Sequence, residues 1–210
     1  LAVVMIALNE THNMEAVLQN LSGWAQEVFL VDSYSVDETV DIALRHGVYV
    51  VQRRFRGFGD QWNFALSELP ITAPWTMKLD PDERISQKLK IEVQNATMSH
   101  EKSAFFVNIR LHFMGRLLPV KINLLRIWKT GQAEFSNVLA NEHAKVKGIV
   151  GCLTHEIEHH DSPDLEHWLE KQNRYTSAEA ITAYKRSPLA DTPRLLGTPM
   201  QRRMWLKRYF

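Results

Sequence analysis

The feature that most constrains this chain is the alternation of short apolar runs with helical patterns through its first hundred residues. Leu1 to Leu8 is a continuous apolar run, which is typical of a strand buried on both faces. Residues 13–21 then carry apolar side chains at the spacing of one helix face. This alternation predicts an α/β fold with a mostly parallel central sheet and helices on both faces. The further strands are expected at 28–31, 48–51 and 75–79, and the further helices at about 35–47, 58–69 and 86–98.

The second half of the chain has longer β-rich segments. Residues 104–114 and 117–128 flank Gly115-Arg116, which predicts a hairpin. Shorter extended segments are expected at 144–147 and 153–159. Ser35 with Glu38 predicts a capping box for the second helix. Ser162-Pro163 predicts the start of a last helix that runs to about Tyr184. We therefore expect one domain over residues 1–184 with a mixed β second half.

The remaining residues, 185–210, form a basic and aromatic tail with seven cationic residues and one acidic residue. This composition is typical of an interfacial helix on an anionic membrane, and a strip packed on the protein body fits it equally well. The net charge of +1 gives no reason to expect a nucleic-acid partner. A single cysteine, Cys152, favours a reducing, cytoplasmic compartment. No apolar run reaches the ~20 residues that span a bilayer, so any membrane attachment is expected to be peripheral, on the inner face.

Polar residues follow three of the predicted strands at the point where each strand ends. The first strand runs into Asn9-Glu10, the second into Asp32, and the fourth into Asp80-Pro81-Asp82. In open α/β sheets, ligands bind beyond the carboxyl ends of the strands. We therefore expect these side chains to share one crevice.

Asp80 and Asp82 carry most of the functional prediction. Two carboxylates two residues apart on a rigid turn can share a hard divalent cation such as Mg²⁺ or Mn²⁺, with diphosphate oxygens in its other positions. A turn that merely precedes the next helix is the alternative interpretation of the same residues.

Three ordered motifs resemble family 2 glycosyltransferases of the GT-A fold. They are residues 3–10 (VVMIALNE), residues 31–39 (VDSYSVDET) and residues 78–83 (KLDPDE), and the segment 141–180 with KQNRY at 171–175 also fits. The most similar branch comprises bacterial enzymes of lipopolysaccharide core and capsular polysaccharide synthesis. The resemblance implies an inverting glycosyltransferase that moves a sugar from a nucleotide-diphosphate donor, most commonly a UDP-sugar, to a hydroxyl of a glycan or lipid-linked acceptor.

The resemblance also implies roles for single residues on the donor side. Asn9 and Glu10 would lie at the nucleotide pocket, and Asp32 would bind the base or ribose. Gln61 and Asn63 fall where the family places nucleotide-contacting polar groups, and the polar face of a core helix is an equal alternative for both.

Asp80 and Asp82 match the family's Asp-x-Asp motif, and Asp82 is favoured as the direct metal ligand. His159 would complete the metal shell, with His155 and His160 as competitors for that role.

Glu142 matches the family's catalytic base, although Asn141 stands where histidine is common. A carboxylate near the acceptor hydroxyl can take its proton as that oxygen attacks the anomeric carbon. Asp161, Lys171 and Tyr175 are predicted on the acceptor side, and for Lys171 and Tyr175 ordinary surface and core positions are an equal alternative.

Two other classes of function stay open at this point. His155-Glu156-Ile157-Glu158-His159 matches the zinc-hydrolase pattern of two histidines and a glutamate. That site requires a helix, whereas the glycines upstream and the new helix downstream leave room for a strand, on which the histidines would start ~13 Å apart. The other class is a non-catalytic domain that binds nucleotide sugars, against which the presence of all the acidic residues argues. A nucleotidyltransferase is disfavoured because no glycine-rich phosphate loop follows the first strand.

Overall fold

The computed structural model describes residues 1–99, 101–136, 142–160, 162, 164–184, 196, 201, 202 and 205. Ten strands and five helices lie in this part of the chain. The strands are β1 (Ala2–Ala7), β2 (Glu27–Asp32), β3 (Tyr49–Gln52), β4 (Trp75–Lys78), β5 (Glu83–Ile85), β6 (Ala104–Phe113), β7 (Arg116–Lys129), β8 (Ala133–Phe135), β9 (Ala144–Val146) and β10 (Val150–His160). The helices are α1 (Thr11–Leu21), α2 (Thr39–Arg45), α3 (Phe58–Glu68), α4 (Gln87–Met98) and α5 (Leu165–Tyr184).

Eight strands form one central sheet in the order β3-β2-β1-β4-β7-β6-β10-β5, and β8 and β9 form a separate two-stranded ladder. Four neighbouring pairs of the central sheet are parallel, namely β2–β3, β1–β2, β1–β4 and β6–β10. Three pairs are antiparallel, namely β4–β7, β6–β7 and β5–β10. The sheet is therefore mixed. The three parallel pairs among β1 to β4 come from the alternating first hundred residues. Of the pairs that include a strand of the β-rich second half, β6–β10 is parallel and the others are antiparallel.

Both faces of β1 are buried, as the unbroken apolar run predicts. Val3 and Met5 pack in one core cluster with residues of α1 and α4. Val4, on the other face, packs in a second cluster with Trp62 and Ala65 of α3. Because successive side chains of a strand point to opposite faces, this division confirms helices on both faces of the sheet.

Several local predictions are wrong. The capping box is absent, because Glu38 is the N-cap of α2 without a side-chain hydrogen bond. The Ser35 hydroxyl instead donates to the Asp32 carboxylate. The hairpin turn lies at 114–115 rather than at 115–116. Short strands β5 and β8 were not predicted, because three residues carry too little periodicity to be recognised. In α5, the Asp164 carboxylate accepts from the backbone N–H of His167 at 2.8 Å, so Asp164 takes the capping role assigned to Ser162.

No helix among the described residues has the length and apolar character needed to cross a membrane. Of the predicted tail, 185–210, only residues 196, 201, 202 and 205 are described. The domain boundary at 184 and the membrane role of the tail therefore stay predictions.

Candidate active site

The Asp80-Pro81-Asp82 turn lies between β4 and β5 and is fixed by hydrogen bonds to Glu83. The backbone N–H of Glu83 donates to the carbonyl of Asp80 at 2.9 Å. The Glu83 carboxylate accepts from the backbone N–H of Asp80, also at 2.9 Å. These two bonds close a tight loop, so the turn presents both aspartate side chains from a rigid backbone.

Asp82 is held between two cationic side chains from distant parts of the chain. His159 Nε2 lies 2.9 Å from Asp82 Oδ2, and Lys171 Nζ donates to the same oxygen at 3.0 Å. Burial opposes ionisation of Asp82, but the hydrogen bond and charge of His159, together with Lys171, lower its pKa well below the ordinary range. Asp82 is therefore an ionised carboxylate at neutral pH.

His159 carries the matching charge. Burial alone would lower its pKa, but the hydrogen bond and charge of Asp82 outweigh burial and raise the pKa of His159 to about 9. The strand register explains the contact, because the backbone N–H of His160 donates to the Asp82 carbonyl at 2.8 Å. The pairing of β5 with β10 thus brings His159 onto the aspartate turn.

Arg126 binds the other side of the turn, a role that was not predicted from the sequence. Its Nη2 donates to Asp80 Oδ2 at 3.1 Å and to Glu83 Oε1 at 2.5 Å. Burial would raise the pKa of Asp80, but Arg126 and Lys78 lower it, whereas burial raises the pKa of Glu83 to about 7 despite the charge of Arg126. The available signal was a cation in the apolar stretch of β7, a position that only buried acids can neutralise.

Glu142, the candidate base, lies in the same cluster. Lys78 Nζ donates to Glu142 Oε1 at 2.7 Å, and both side chains are nearly buried, at 12% and 11% exposed. The Lys78 ammonium also lies 4.5 Å from the ring centroid of Trp62 and 5.5 Å from that of Phe135, a cation–π arrangement. Lys78 was not predicted, and it fixes the position of the Glu142 carboxylate.

Glu10 also belongs to the cluster. Burial raises its pKa to about 7, against the hydrogen bond from Asn13, and the charges of Asp82 and Asp80 raise it further. Asn13 Nδ2 donates to Glu10 Oε2 at 2.9 Å. Glu10 therefore stands close to the aspartates, as expected from the shared edge of the sheet.

The loop after β2 is tied to the end of β1. Asn9 has a positive φ of 56°; its backbone N–H donates to Ser35 Oγ at 2.8 Å, and its Oδ1 accepts from the Val36 N–H at 2.9 Å. The fully buried Asp32 accepts from the Ser35 N–H at 2.9 Å and from Gln52 Nε2 at 3.0 Å. The carboxylate of Asp32 thus shapes this loop, and its contact with a base or ribose stays a prediction.

Gln61 and Asn63 have different surroundings. Gln61 is buried, accepts from Arg53 at 2.7 Å and donates to the Ser33 hydroxyl at 3.3 Å, so it borders the loop after β2. Asn63 exchanges two hydrogen bonds with the backbone of Phe135, at 2.9 and 2.8 Å. Asn63 therefore fastens β8 to α3, and a nucleotide contact from either residue stays a prediction.

Helix α5 lies beside the acidic cluster. The Tyr175 ring stacks on Phe58 with a centroid distance of 6.1 Å, and burial raises the pKa of its hydroxyl to about 12. One turn earlier on the helix, Lys171 contacts Asp82. Lys171 thus faces the aspartate turn, and Tyr175 lies one turn further along the same helix. Their acceptor-side role stays a prediction, and the third residue of that set, Asp161, lies outside the described residues.

The zinc-hydrolase alternative fails on geometry. His155 and His159 lie on strand β10, where residues four apart are separated by ~13 Å. His155 Nδ1 lies 2.8 Å from Glu92 of α4, while His159 contacts Asp82. The two imidazoles therefore cannot bind one zinc ion.

The donor atoms around the turn fit a hard divalent cation. In both Asp80 and Asp82, Oδ2 accepts from a cationic side chain, while Oδ1 has no hydrogen bond to a described residue. Carboxylate oxygens are ligands that suit Mg²⁺ or Mn²⁺, and His159 could join them only after it gives up its bond to Asp82. The two aspartates therefore offer oxygens to such an ion, although the donor atoms of Asp80, Asp82 and His159 are not all within 4.8 Å of one another.

Comparison with known proteins identifies the family of this chain. The sequence profile of glycosyl transferase family 2 matches residues 2–149. Uncharacterized glycosyltransferases of Rickettsia prowazekii and Rickettsia typhi are each 24% identical over 230 residues, covering 100% of this chain and 78% of theirs.

Two solved structures are similar in fold. TarS of S. aureus, residues 1–349, has a TM-score of 0.60 at 14% identity, covering 99% of this chain and 69% of that one. Glucosyl-3-phosphoglycerate synthase of Mycobacterium tuberculosis has a TM-score of 0.53 at 14% identity, covering 92% of this chain and 82% of that one. These neighbours confirm the predicted GT-A-like fold. Since the family profile matches well over half of the sequence, the chain belongs to glycosyl transferase family 2.

Proposed function

We propose that this protein transfers a sugar from a nucleoside-diphosphate donor to a hydroxyl acceptor, with inversion at the anomeric carbon. The observation that carries the proposal is the cluster at the carboxyl end of β4. There, Asp80 and Asp82 stand on a rigid turn, and the ion pair with Lys78 of β4 brings the carboxylate of Glu142 into the same cluster. The aspartates serve the donor, and Glu142 serves the acceptor.

Asp82, Asp80 and His159 would hold Mg²⁺ or Mn²⁺. The bound ion would stabilise the negative charge that the diphosphate gains as it departs. Support comes from the neighbours of similar fold. TarS has been solved with UDP-GlcNAc, and glucosyl-3-phosphoglycerate synthase with Mn²⁺, UDP and its glucosylated product. We therefore propose a UDP-sugar as the donor of this protein.

Glu142 would act as the general base. The acceptor hydroxyl oxygen attacks the anomeric carbon while the bond from that carbon to the diphosphate oxygen breaks. The bonding electrons leave with the diphosphate, and the hydroxyl proton passes to Glu142. Lys78 holds the carboxylate from the opposite side at 2.7 Å, which keeps it oriented. A base of this kind typically contributes about 10²–10⁴-fold to the rate.

We propose that Lys171 binds the donor diphosphate as well as Asp82. Its ammonium lies 3.0 Å from Asp82 Oδ2. At that position the positive charge of Lys171 would repel an incoming divalent cation. A donor diphosphate supplies a new anionic partner for it. We propose that Lys171 leaves Asp82 and pairs with the diphosphate when metal and donor bind together, so that binding of the two is coupled.

The acceptor is proposed to be a hydroxyl of a cell-surface glycan or glycolipid, as in the lipopolysaccharide-core and capsular-polysaccharide branch that the sequence resembles. Tyr175 and Lys171, which face the cleft from α5, would border the acceptor. We propose that the protein works peripherally on the inner face of the membrane, with residues 185–210 contributing the contact with anionic lipid.

The donor site is tested by a thermal-shift panel of nucleotide sugars, each with and without Mn²⁺. We expect a UDP-sugar to raise the melting temperature only when Mn²⁺ is present, and Asp82→Asn to remove that metal-linked shift. Asp41→Asn, an exposed aspartate on α2, is the matched control and should behave as the unaltered protein. A donor shift of the same size with Mn²⁺ in Asp82→Asn would reject the metal assignment.

The base is tested separately from the donor site. Glu142→Gln should bind UDP and Mn²⁺ as before and lose about 10²–10⁴-fold in turnover, with exposed Glu134→Gln of β8 as its control. A near-normal rate in Glu142→Gln would remove Glu142 from this role. Donor binding without turnover in the unaltered protein, across a panel of glycan and glycolipid acceptors, would favour the non-catalytic alternative.

A further inference from the structure

A second group of metal-binding side chains lies on the central sheet, away from the aspartate turn. His112 of β6 and His160 of β10 are opposite each other in the parallel register of these strands. Glu158 precedes His160 by two residues and therefore points to the same face. The ligand atoms of the three side chains all lie within 4.8 Å of one another.

We propose that His112, Glu158 and His160 form a binding site for one borderline transition-metal ion, with Zn²⁺ as the best match. Two imidazoles and one carboxylate are a ligand set that zinc takes with a water in the fourth position. Imidazole nitrogen separates this site from a magnesium or calcium site, which would use oxygen ligands.

The donor atoms are close to the required spacing. Zinc–nitrogen and zinc–oxygen bonds of about 2.0–2.1 Å in a tetrahedron place donor atoms about 3.3 Å apart. Glu158 Oε2 lies 3.4 Å from His160 Nε2 and 4.0 Å from His112 Nε2. The first pair already has this spacing, and the second needs a contraction of less than 1 Å.

The two rings can make this adjustment. They stack with a centroid distance of 4.7 Å and an interplanar angle of 15°, so they must rotate for both Nε2 atoms to point at one ion. The His112 side chain is 23% exposed and that of His160 is 45% exposed. Rotation about their side-chain torsions is therefore not blocked by a packed core, and the paired backbones keep the three ligands adjacent.

The neighbouring charges leave the Glu158 carboxylate available. Arg110 and Lys121, the nearest cations along these strands, both form ion pairs with Glu156. Arg84, opposite Glu158 on β5, donates instead to the backbone carbonyls of Pro81 and Glu83, at 2.6 and 2.8 Å. The ion pairs of Glu158 are with the two histidines of the cluster.

This site is separate from the aspartate turn because side chains alternate along a strand. His159 lies between Glu158 and His160 and points to the other face, where it contacts Asp82. An ion held by His112 and His160 would tie β6 to β10 at the strand end that carries His159. Its role would be to fix that strand end, and its occupancy does not depend on a nucleotide.

The test uses the full chain carrying Asp82→Asn, freed of metal with a chelator, so that the aspartate turn contributes little binding. Co²⁺ serves as the spectroscopic probe for zinc, followed by Zn²⁺ competition. We expect one equivalent of Co²⁺ to bind with visible d–d absorption, and Zn²⁺ to displace it and raise the melting temperature. Adding His112→Ala, or the conservative change Glu158→Gln, should weaken the affinity at least tenfold.

His46→Ala is the matched control, because His46 and Glu15 form a comparable partly exposed pair, 3.0 Å apart, that belongs to no three-residue group of metal ligands among the described residues. It should leave the Co²⁺ affinity unchanged. Absence of a one-equivalent Co²⁺ band would overturn the site. So would an unchanged affinity in both His112→Ala and Glu158→Gln, or an equal loss in His46→Ala. Because nucleotide is absent throughout, the result is independent of the donor site.

Discussion

Replacing Lys171 with methionine separates two effects that one positive charge has on the donor site. The side chain keeps most of its length and apolar stem, while the ammonium 3.0 Å from Asp82 Oδ2 is lost. In the absence of nucleotide, this ammonium competes with a divalent cation for the same carboxylate. We therefore expect Lys171→Met to bind Mn²⁺ more tightly than the unaltered protein.

The magnitude follows from the distance. A cation bound to Asp82 at about 2.2 Å would stand about 5 Å from the ammonium, depending on the angle at the oxygen. Even with the dielectric constant of water, about 80, Coulomb repulsion between charges of +2 and +1 at about 5 Å is on the order of 2 kcal/mol, which is a lower bound for a carboxylate as buried as Asp82. That energy corresponds to an affinity change of about 30-fold. Relaxation of the lysine away from the ion would reduce it toward tenfold.

The assay is an electron paramagnetic resonance titration of free Mn²⁺, repeated with saturating UDP. The affinity for UDP should change in the opposite direction to the affinity for Mn²⁺. It should fall in Lys171→Met, because the variant lacks a cation that pairs with the diphosphate. Lys88→Met, an exposed lysine on α4, controls for the loss of one unit of charge. An unchanged or weaker Mn²⁺ affinity in Lys171→Met, or an equal gain in Lys88→Met, would refute the reasoning.

Three further predictions concern stability and membrane binding. The pKa of His159 is about 9 in the folded protein against an ordinary 6.5, so its contribution to stability is complete below pH 6.5 and is lost as the pH rises through 9. Over that pH range the metal-free protein should lose on the order of 2–3 kcal/mol of unfolding free energy that His159→Gln does not lose. Urea-unfolding free energies of the two proteins that vary in parallel with pH would contradict this. Arg126→Met should lower the free energy of unfolding by on the order of 3 kcal/mol, because it leaves the buried Glu83 carboxylate without its cation. A loss below about 1 kcal/mol in urea unfolding would contradict this and show that Glu83 becomes protonated instead. Truncation after Gly197 should weaken co-sedimentation with anionic but not neutral vesicles, and unchanged partitioning would count against the tail.

The first half of the fold could be predicted from sequence because its strands are long apolar runs with polar ends. β1 and β4 are buried as their composition requires, and Asp80 and Asp82 follow β4 as expected. That Asp82 and His159 belong to one site could be expected only from the family resemblance, because the two residues are 77 positions apart in the sequence. Such pairings depend on strand register across the sheet, which local periodicity does not encode.

The basic residues of the site were harder to predict from the sequence than the acidic ones. Lys78 and Arg126 lie in strands whose apolar character dominates the pattern, and their partners are acids brought together only by the sheet. The acids were visible because they follow strands in turns. The misplaced capping box has a similar cause: the Ser35 hydroxyl has a buried partner in Asp32, so it is unavailable to the helix that its sequence position suggests.

The pairing of β5 with β10 affects when, during synthesis of the chain, the aspartate turn acquires all of its partners. The family profile ends at residue 149, and the Asp-x-Asp motif is synthesised long before His159 and Lys171 leave the ribosome. A nascent chain that has folded only residues 1–149 can therefore form the Asp80–Arg126 ion pair, but it lacks the two cationic side chains that contact Asp82 in the complete sheet. The proposed donor site is complete only when β10 pairs between β6 and the edge strand β5 and brings His159 to Asp82.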